Sequence, residues 1–163
     1  EFPMTIHVGD RIPEVTLKRI REGIETLDTH SLFDARKVVL FAVPGAFTPT
    51  CSARHLPGYV EKFEAFRQRG IDVYCMAVND PFVMKAWAAD QKVPDGLLML
   101  SDGNAELTRA LGLELDASAS GMGMRSRRFA LYVVDGVVRA AWIEQPGQFE
   151  VSSAEYVLEH LPT

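Results

Sequence analysis

One stretch of the chain, VVLFAVPGAFTPTC at residues 38–51, decides the fold. Its first six residues are apolar and end at Pro44 and Gly45, a pattern that predicts a buried strand. The patterned residues that follow, Ser52 to Arg69, predict a helix. A thiol, Cys51, therefore stands where a strand passes into a helix N-terminus, and unpaired backbone N–H groups and the helix dipole favour an anion there. Because the thiolate is the reactive form of cysteine, this placement predicts a reactive Cys51.

A buried structural thiol is the alternative interpretation, since free cysteine is among the most buried residue types. Three features favour the reactive one. The residues before Cys51 form loops rather than cores, the position is a helix entry, and Thr48 and two prolines lie in the same short loop. We therefore expect Cys51 to be functional.

The composition predicts one domain. The chain has 163 residues, of which 47% are hydrophobic and 24% charged, as in an ordinary globular domain with its own core. We expect this domain to span residues 4–163, and residues 1–3, Glu-Phe-Pro before Met4, to be a cloning remnant.

Charge and cysteine content narrow the partners and the compartment. The net charge of -5 disfavours nucleic acid, and the dense basic cluster at residues 125–128 is too small to bind it. No apolar stretch reaches the length of a membrane span, so no membrane association is expected. Two cysteines without a visible secretory signal favour a reducing, cytoplasmic location.

The rest of the chain alternates strands and helices. Predicted strands span residues 15–20, 24–29, 38–43, 71–78, 97–100, 129–134 and 137–143. Predicted helices span residues 52–69, 81 onward, 102–111 and 154–161. The first should be kinked at Pro57, and the last should follow a capping box formed by Ser152 and Glu155. Residues 114–124 are predicted as a surface loop, and Asp135-Gly136 as a type I′ turn. This order predicts an α/β thioredoxin fold, a mixed central sheet with helices on both faces.

The four histidines offer no metal site, because they are scattered and lack ligand spacing. We expect each to be a solvated surface residue. His55 follows Cys51 by four residues on the same helix face, so a Cys–His hydrolase is an alternative. No third residue to orient His55 is apparent in the sequence, which favours the surface interpretation.

The motif Pro44-x-x-x-Thr48-x-x-Cys51 resembles the active-site motif of the peroxiredoxins. Residues 43–52 resemble the type II, or atypical two-cysteine, class in particular. Residues 78–83, 111–116 and 125–130 match the same class, and the resemblance runs from about residue 8 to 161. It implies a thiol-dependent peroxidase that reduces hydrogen peroxide and small alkyl hydroperoxides without metal, haem or flavin. A redox sensor or a non-catalytic thioredoxin-fold module is the alternative.

The resemblance also implies roles for single residues. Cys51 would attack the peroxide and become a sulfenic acid. Thr48 would hydrogen-bond the thiolate and the peroxide, Pro44 would exclude water, and Gly45 would allow close backbone approach to the substrate. Arg128, permanently charged, would hold the thiolate and orient the peroxide. Its neighbours at residues 125 and 127 are expected to be surface charges.

The second cysteine departs from one branch of the class. That branch carries a resolving cysteine in the loop before the last helix, whereas residues 147–153 contain none here. Cys75 lies in a predicted strand and is expected to be a buried core thiol. We therefore predict no resolving cysteine, a Cys51 pocket open to small thiols, and an external reductant, glutaredoxin with glutathione first and thioredoxin second. The resemblance further implies a homodimer that pairs through Phe47, Pro49 and Pro81-Phe82.

Overall fold

The computed structural model describes residues 5–162. The predicted cloning remnant and both predicted ends of the domain lie outside these residues and stay predictions. None of the helices within the described range combines the length and the apolar content that crossing a bilayer requires.

The described residues alternate strands and helices, as predicted. Strands β1 to β9 span Thr16–Ile20, Ile24–Asp28, Lys37–Val43, Ile71–Ala77, Leu98–Ser101, Glu114–Asp116, Met124–Ser126, Phe129–Val134 and Val137–Ile143. Helices α1 to α6 span Thr29–Phe33, Leu56–Glu61, Phe63–Gln68, Pro81–Asp90, Glu106–Ala110 and Ala154–His160. A π-helical turn over Cys51–His55 leads directly into α2, and a 3₁₀ turn covers Ser118–Ser120.

Seven of these strands form one mixed sheet in the order β2-β1-β5-β4-β3-β8-β9. Strand β3 lies near its centre, parallel to β4 and antiparallel to β8. Paired on both edges and covered on both faces, its residues Val38 to Val43 are fully buried. The loop that carries Cys51 therefore leaves from a well-anchored strand.

Helices cover both faces of the sheet. One face packs against α2, α3, α4 and α6 through large apolar side chains, among them Tyr59, Phe66, Trp87 and Val157. The other face packs against α1 and α5 through Leu32, Phe33, Leu107 and Leu111. This arrangement confirms the predicted thioredoxin fold.

Both predicted hairpins are present. Strands β1 and β2 pair antiparallel around the turn at residues 21–23, and β8 pairs with β9 around Asp135 and Gly136. These two turn residues have φ of 47° and 77°, both left-handed, as a type I′ turn requires.

Two local predictions are wrong, and one helix was not predicted. The predicted loop at 114–124 contains β6, which pairs with β7 to form a separate two-stranded sheet. Three residues per strand are too few for alternation to show in the sequence. Helix α1 is also absent from the prediction; Asp28 caps it by accepting from the backbone N–H of Ser31 at 2.8 Å. Helix α6 is capped by Ser153 rather than Ser152, because the Ser152 side chain bonds the buried Glu144 carboxylate instead.

Candidate active site

Cys51 begins the π-helical turn, after two helical residues, Pro49 and Thr50, that follow the loop leaving β3. Its placement between a strand and a helix agrees with the sequence pattern. The residue is fully buried in the same apolar cluster as Phe41 and Leu56. The predicted pocket open to small thiols is therefore wrong for this conformation, and a molecule the size of glutathione reaches the sulfur only after the turn has moved.

The long helix predicted after Cys51 is interrupted twice. Pro57 has no N–H, so the carbonyl of Ala53 lacks its α-helical donor. The N–H of Leu56 donates to the carbonyl of Cys51 five residues back, which widens this turn into a π-helix. Pro57 thus produces a wide helical turn before it instead of the predicted kink. The second interruption is at Lys62, where φ is -94° and ψ is 6°, and it separates α2 from α3.

Arg128 contacts the cysteine sulfur directly. Its Nη2 donates to Cys51 Sγ at 3.3 Å. The contact follows from strand pairing, because Arg128 precedes β8 and Phe129 pairs with Ala42 near the end of β3. At this distance the guanidinium places a permanent positive charge and a hydrogen-bond donor beside the sulfur.

His55 is buried, so its predicted surface position is wrong. Its Nδ1 lies 2.8 Å from Arg128 Nη1, and its Nε2 lies 3.1 Å from the carbonyl oxygen of Ser152. Arginine only donates, so Nδ1 accepts and Nε2 carries the proton that bonds Ser152. Burial first, and then the positive charge of Arg128, lower the pKa of His55 to about 3.

These contacts exclude the Cys–His hydrolase. A general base works best with a pKa near the working pH, which His55 does not have. Both of its ring nitrogens are already engaged, one by Arg128 and one by Ser152. His55 therefore holds the arginine rather than deprotonating the cysteine. The other three histidines, His7, His30 and His160, are exposed as predicted.

A buried carboxylate fixes the far end of this chain of hydrogen bonds. Glu144 Oε2 accepts from the backbone N–H groups of Glu150 and Ser152 and from the Ser152 hydroxyl, at 2.8, 2.8 and 2.7 Å. The Ser152 carbonyl accepts from His55 and also from the Tyr59 hydroxyl at 2.7 Å. Sequence reasoning missed Glu144 and Ser152, because nothing in the sequence links them to Cys51.

Thr48 faces the start of the turn with its hydroxyl already engaged. The hydroxyl donates to the carbonyl of Gly45 at 2.6 Å. Its hydrogen is used there, so its lone pairs are left to accept a hydrogen bond from a peroxide. The predicted donation from Thr48 to the thiolate would need the hydroxyl to rotate away from Gly45.

The space above Gly45 is filled by side chains. A Cβ at this position would lie 3.0 Å from atoms of Arg125, Met122 and Thr48. Close side-chain packing accounts for the glycine, and the predicted approach of substrate to its backbone stays a prediction. Arg125, predicted as a surface charge, is half-buried and donates to the carbonyls of Met122 and Pro44 at 2.9 and 3.4 Å.

Further contacts hold the walls of the site. The Asn79 side chain accepts from the backbone N–H of Ala46 at 2.9 Å, which ties the cysteine loop to the start of α4. Arg127, also predicted as a surface charge, is half-buried and donates to the carbonyl of Glu144 at 2.9 Å. Pro44 lines a cavity beside this loop, and its predicted role of keeping water from Cys51 stays a prediction.

Cys75 is a buried strand residue, as predicted. It lies in β4, pairs with Phe41 of β3 and is fully buried in the same cluster as Cys51. Burial first, and then the neighbouring charge of Cys51, raise the pKa of the Cys75 thiol well above its usual value. Neither cysteine forms a disulfide.

A thioredoxin-type sheet that presents one buried cysteine to a fixed guanidinium defines a thiol-based redox protein. The Redoxin family model matches residues 7–158. Peroxiredoxin-2B of Arabidopsis thaliana is 47% identical in an alignment 159 residues long that covers 96% of this chain and 98% of the relative. The hybrid peroxiredoxin hyPrx5 of Haemophilus influenzae is 42% identical over 94% of this chain and 65% of its own length.

Solved structures agree with these relatives. Reduced Prx3 from Vibrio vulnificus in complex with H₂O₂ superposes with a TM-score of 0.92 and 46% identity, covering 97% of this chain and all of that one. The chain therefore belongs to the Redoxin family as a peroxiredoxin, and its activity is that of a thiol-dependent peroxidase.

Proposed function

We propose that this peroxidase reduces hydrogen peroxide and small alkyl hydroperoxides at Cys51 and is recycled by an external thiol. The observation that carries the proposal is the 3.3 Å contact from Arg128 to Sγ, with the guanidinium held from behind by a neutral His55. The relative from Vibrio vulnificus, determined with H₂O₂, supports the choice of substrate.

The chemistry follows from this contact. The Cys51 thiolate attacks one peroxide oxygen, the O–O bond breaks, and the leaving alkoxide or hydroxide takes a proton and departs as alcohol or water. The sulfur is oxidised to sulfenic acid while the peroxide is reduced. Arg128 stabilises the thiolate and the charge that develops on the oxygens. Thr48 accepts a hydrogen bond from the peroxide, and Pro44 limits the access of water.

Recycling uses a thiol from outside the chain. A thiol condenses with the sulfenic acid to give a mixed disulfide and water, and a second thiol then releases Cys51 by exchange. Two observations support the external source: residues 147–153 contain no cysteine, and Cys75 is buried with a raised pKa. Glutaredoxin with glutathione is the first candidate and thioredoxin the second.

The first turn of the helix must open for this second step, because Cys51 is fully buried and a tripeptide such as glutathione is much larger than a peroxide. The π-helical turn is the natural place, since its backbone ladder is already irregular and Pro57 removes one hydrogen bond. Trp87 can report the movement, because its Nε1 donates to the Ser52 hydroxyl at 3.0 Å, one residue after the cysteine.

We also propose that the chain forms a homodimer through the loops around the site. Phe47 and Phe82 are 52% and 63% exposed. The bond from Ala46 to Asn79 brings their two loops together, and clustered exposed apolar side chains mark contact surfaces. Light scattering at micromolar concentration should give twice the chain mass, and Phe47→Ser with Phe82→Ser should give a monomer. A strict monomer in the wild type would refute this assembly.

The cytoplasmic location stays a prediction.

Stopped-flow mixing of reduced protein with hydrogen peroxide tests the main proposal. One thiol should be lost quickly, at Cys51 by peptide mapping, and added glutathione and glutaredoxin should then sustain turnover. Cys51→Ser should be inactive. Loss of the thiol without turnover in the presence of any thiol donor would instead indicate a redox sensor.

A further inference from the structure

A cavity of about 190 Å³ lies against the active site, and the chemistry proposed above does not use it. Its walls come from the cysteine loop, the π-helical turn and the loop before α6, represented by Pro44, Arg54 and Phe149. Arg128 also lines it, so a ligand in the cavity would lie beside the residue that contacts the sulfur.

The cavity is lined by positive charge although the chain carries a net charge of -5. Arg54, Arg127 and Arg128 face it, against one carboxylate, that of Glu144. That carboxylate already accepts three hydrogen bonds from the loop before α6. The side-chain amides of Gln145 and Gln148 add neutral polar groups to the same wall.

Of the three arginines at the cavity, Arg54 is the one whose N–H groups are free to bind a ligand. Arg128 is engaged by Cys51 and His55, and Arg127 donates to a backbone carbonyl. Within residues 5–162, Arg54 makes neither an ion pair nor a side-chain hydrogen bond, and it is exposed. Its guanidinium carbon lies 4.8 Å from the centroid of the Phe149 ring, which fixes the plane without using the N–H groups.

We propose that Arg54, over Phe149, binds the carboxylate of a small molecule that reacts at Cys51. This inference rests on the proposed function. A planar guanidinium binds carboxylates in a bidentate manner, and glutathione and acidic organic hydroperoxides both carry one. Arg54 lies three residues after Cys51 on the same π-helical turn. A ligand held by Arg54 therefore stays beside the sulfur when the turn opens.

The test compares Arg54→Gln with Arg67→Gln, which removes the same charge from α3, away from the cavity. Each variant is mixed with two pairs of probes. The sulfenic acid form is mixed with glutathione and with neutral β-mercaptoethanol, and the reduced form with a carboxylate-bearing alkyl hydroperoxide and with tert-butyl hydroperoxide. Arg54→Gln should slow at least one acidic probe about tenfold, as expected for a lost charge-assisted bond. The neutral probes and the Arg67→Gln variant should keep the wild-type rates.

Slowing with glutathione alone identifies the reductant as the ligand, and slowing with the acidic peroxide alone identifies the substrate. Unchanged rates with both acidic probes would overturn the inference, as would equal slowing with neutral ones or in Arg67→Gln. Failure of the wild type to consume any peroxide would instead contradict the proposed function. The two failures are therefore distinguishable.

Discussion

Replacing His55 by leucine should slow the reaction with peroxide while leaving the fold intact. Leucine fills most of the buried volume but offers no acceptor to Arg128, whose Nη1 lies 2.8 Å from His55 Nδ1. The guanidinium then loses the hydrogen-bond acceptor that holds it beside Cys51. A hydrogen bond to a charged group contributes about 1.5–3 kcal/mol, and each 1.36 kcal/mol of barrier changes a rate about tenfold. We therefore expect a rate about 10- to 100-fold lower.

The structure provides a matched control. The Ser152 carbonyl accepts from both His55 and Tyr59, so either variant leaves it one donor. Tyr59→Phe removes the second donor at 2.7 Å and leaves the contact between His55 and Arg128 untouched. Tyr59→Phe should lose about 1 kcal/mol of stability, and His55→Leu, which also loses the bond to the charged Arg128, should lose more. Only His55→Leu should lose the rate, and His55→Asn, whose side-chain oxygen can replace Nδ1, should recover part of it.

Three measurements decide the matter. Stopped-flow kinetics give the second-order rate constant with hydrogen peroxide, ultraviolet absorbance gives the thiolate fraction of Cys51, and thermal melting gives stability. His55→Leu should lower the rate constant and the thiolate fraction more than Tyr59→Phe does, at a temperature where melting shows both variants to be folded. A folded His55→Leu variant at the wild-type rate, or a Tyr59→Phe variant equally slow, would refute the positioning role.

Three further outcomes are expected. Burial lowers the pKa of His55 to about 3, so between about pH 6.5 and pH 3 the unfolded chain binds a proton at this residue and the folded chain does not. The free energy of unfolding should therefore decrease as the pH is lowered through this range, and it should decrease less in His55→Leu. Arg128→Met should raise the barrier to peroxide reduction by roughly 2.7–4 kcal/mol, whereas Arg127→Met, which leaves the sulfur contact intact, should not. Iodoacetamide at neutral pH should label Cys51 before Cys75, and Cys75→Ser should keep most of the glutaredoxin-linked turnover; an intramolecular disulfide with an inactive Cys75→Ser would contradict this.

The sequence predicts the fold because its signals are local and repeated. The apolar run of β3 and the Asp135-Gly136 turn each determine their element by short-range chemistry. The strands β6 and β7 are too short to give such a signal. The choice of Ser153 over Ser152 as a cap depends on Glu144, which follows β9 and whose bond to the Ser152 side chain no sequence pattern signals.

The site divides in the same way. The placement of Cys51 and Thr48 follows from the loop that holds them, and the contact of Arg128 follows from pairing of β8 with β3. The role of His55 could not be predicted in this way, because its burial depends on the loop before α6. Phe149 of that loop covers the His55 ring, with 5.0 Å between the ring centroids. A histidine one turn after the cysteine and two residues before Pro57 is the only sequence signal that pointed there.

The hydrogen bonds of His55 position Arg128 and also keep the π-helical turn closed. The reaction with peroxide therefore needs these bonds, whereas the reaction with an external thiol needs one of them broken. The Nε2 of His55 ties the turn to Ser152, whose backbone is fastened by Glu144. Opening of the turn for an external thiol must break that tie, whereas attack on peroxide uses it intact. His55→Leu should therefore slow the peroxide step yet speed formation of the glutathione adduct on pre-formed Cys51 sulfenic acid, measured by mass spectrometry of quenched samples. Equal slowing of both steps would show that His55 only stabilises the closed fold and that opening begins elsewhere.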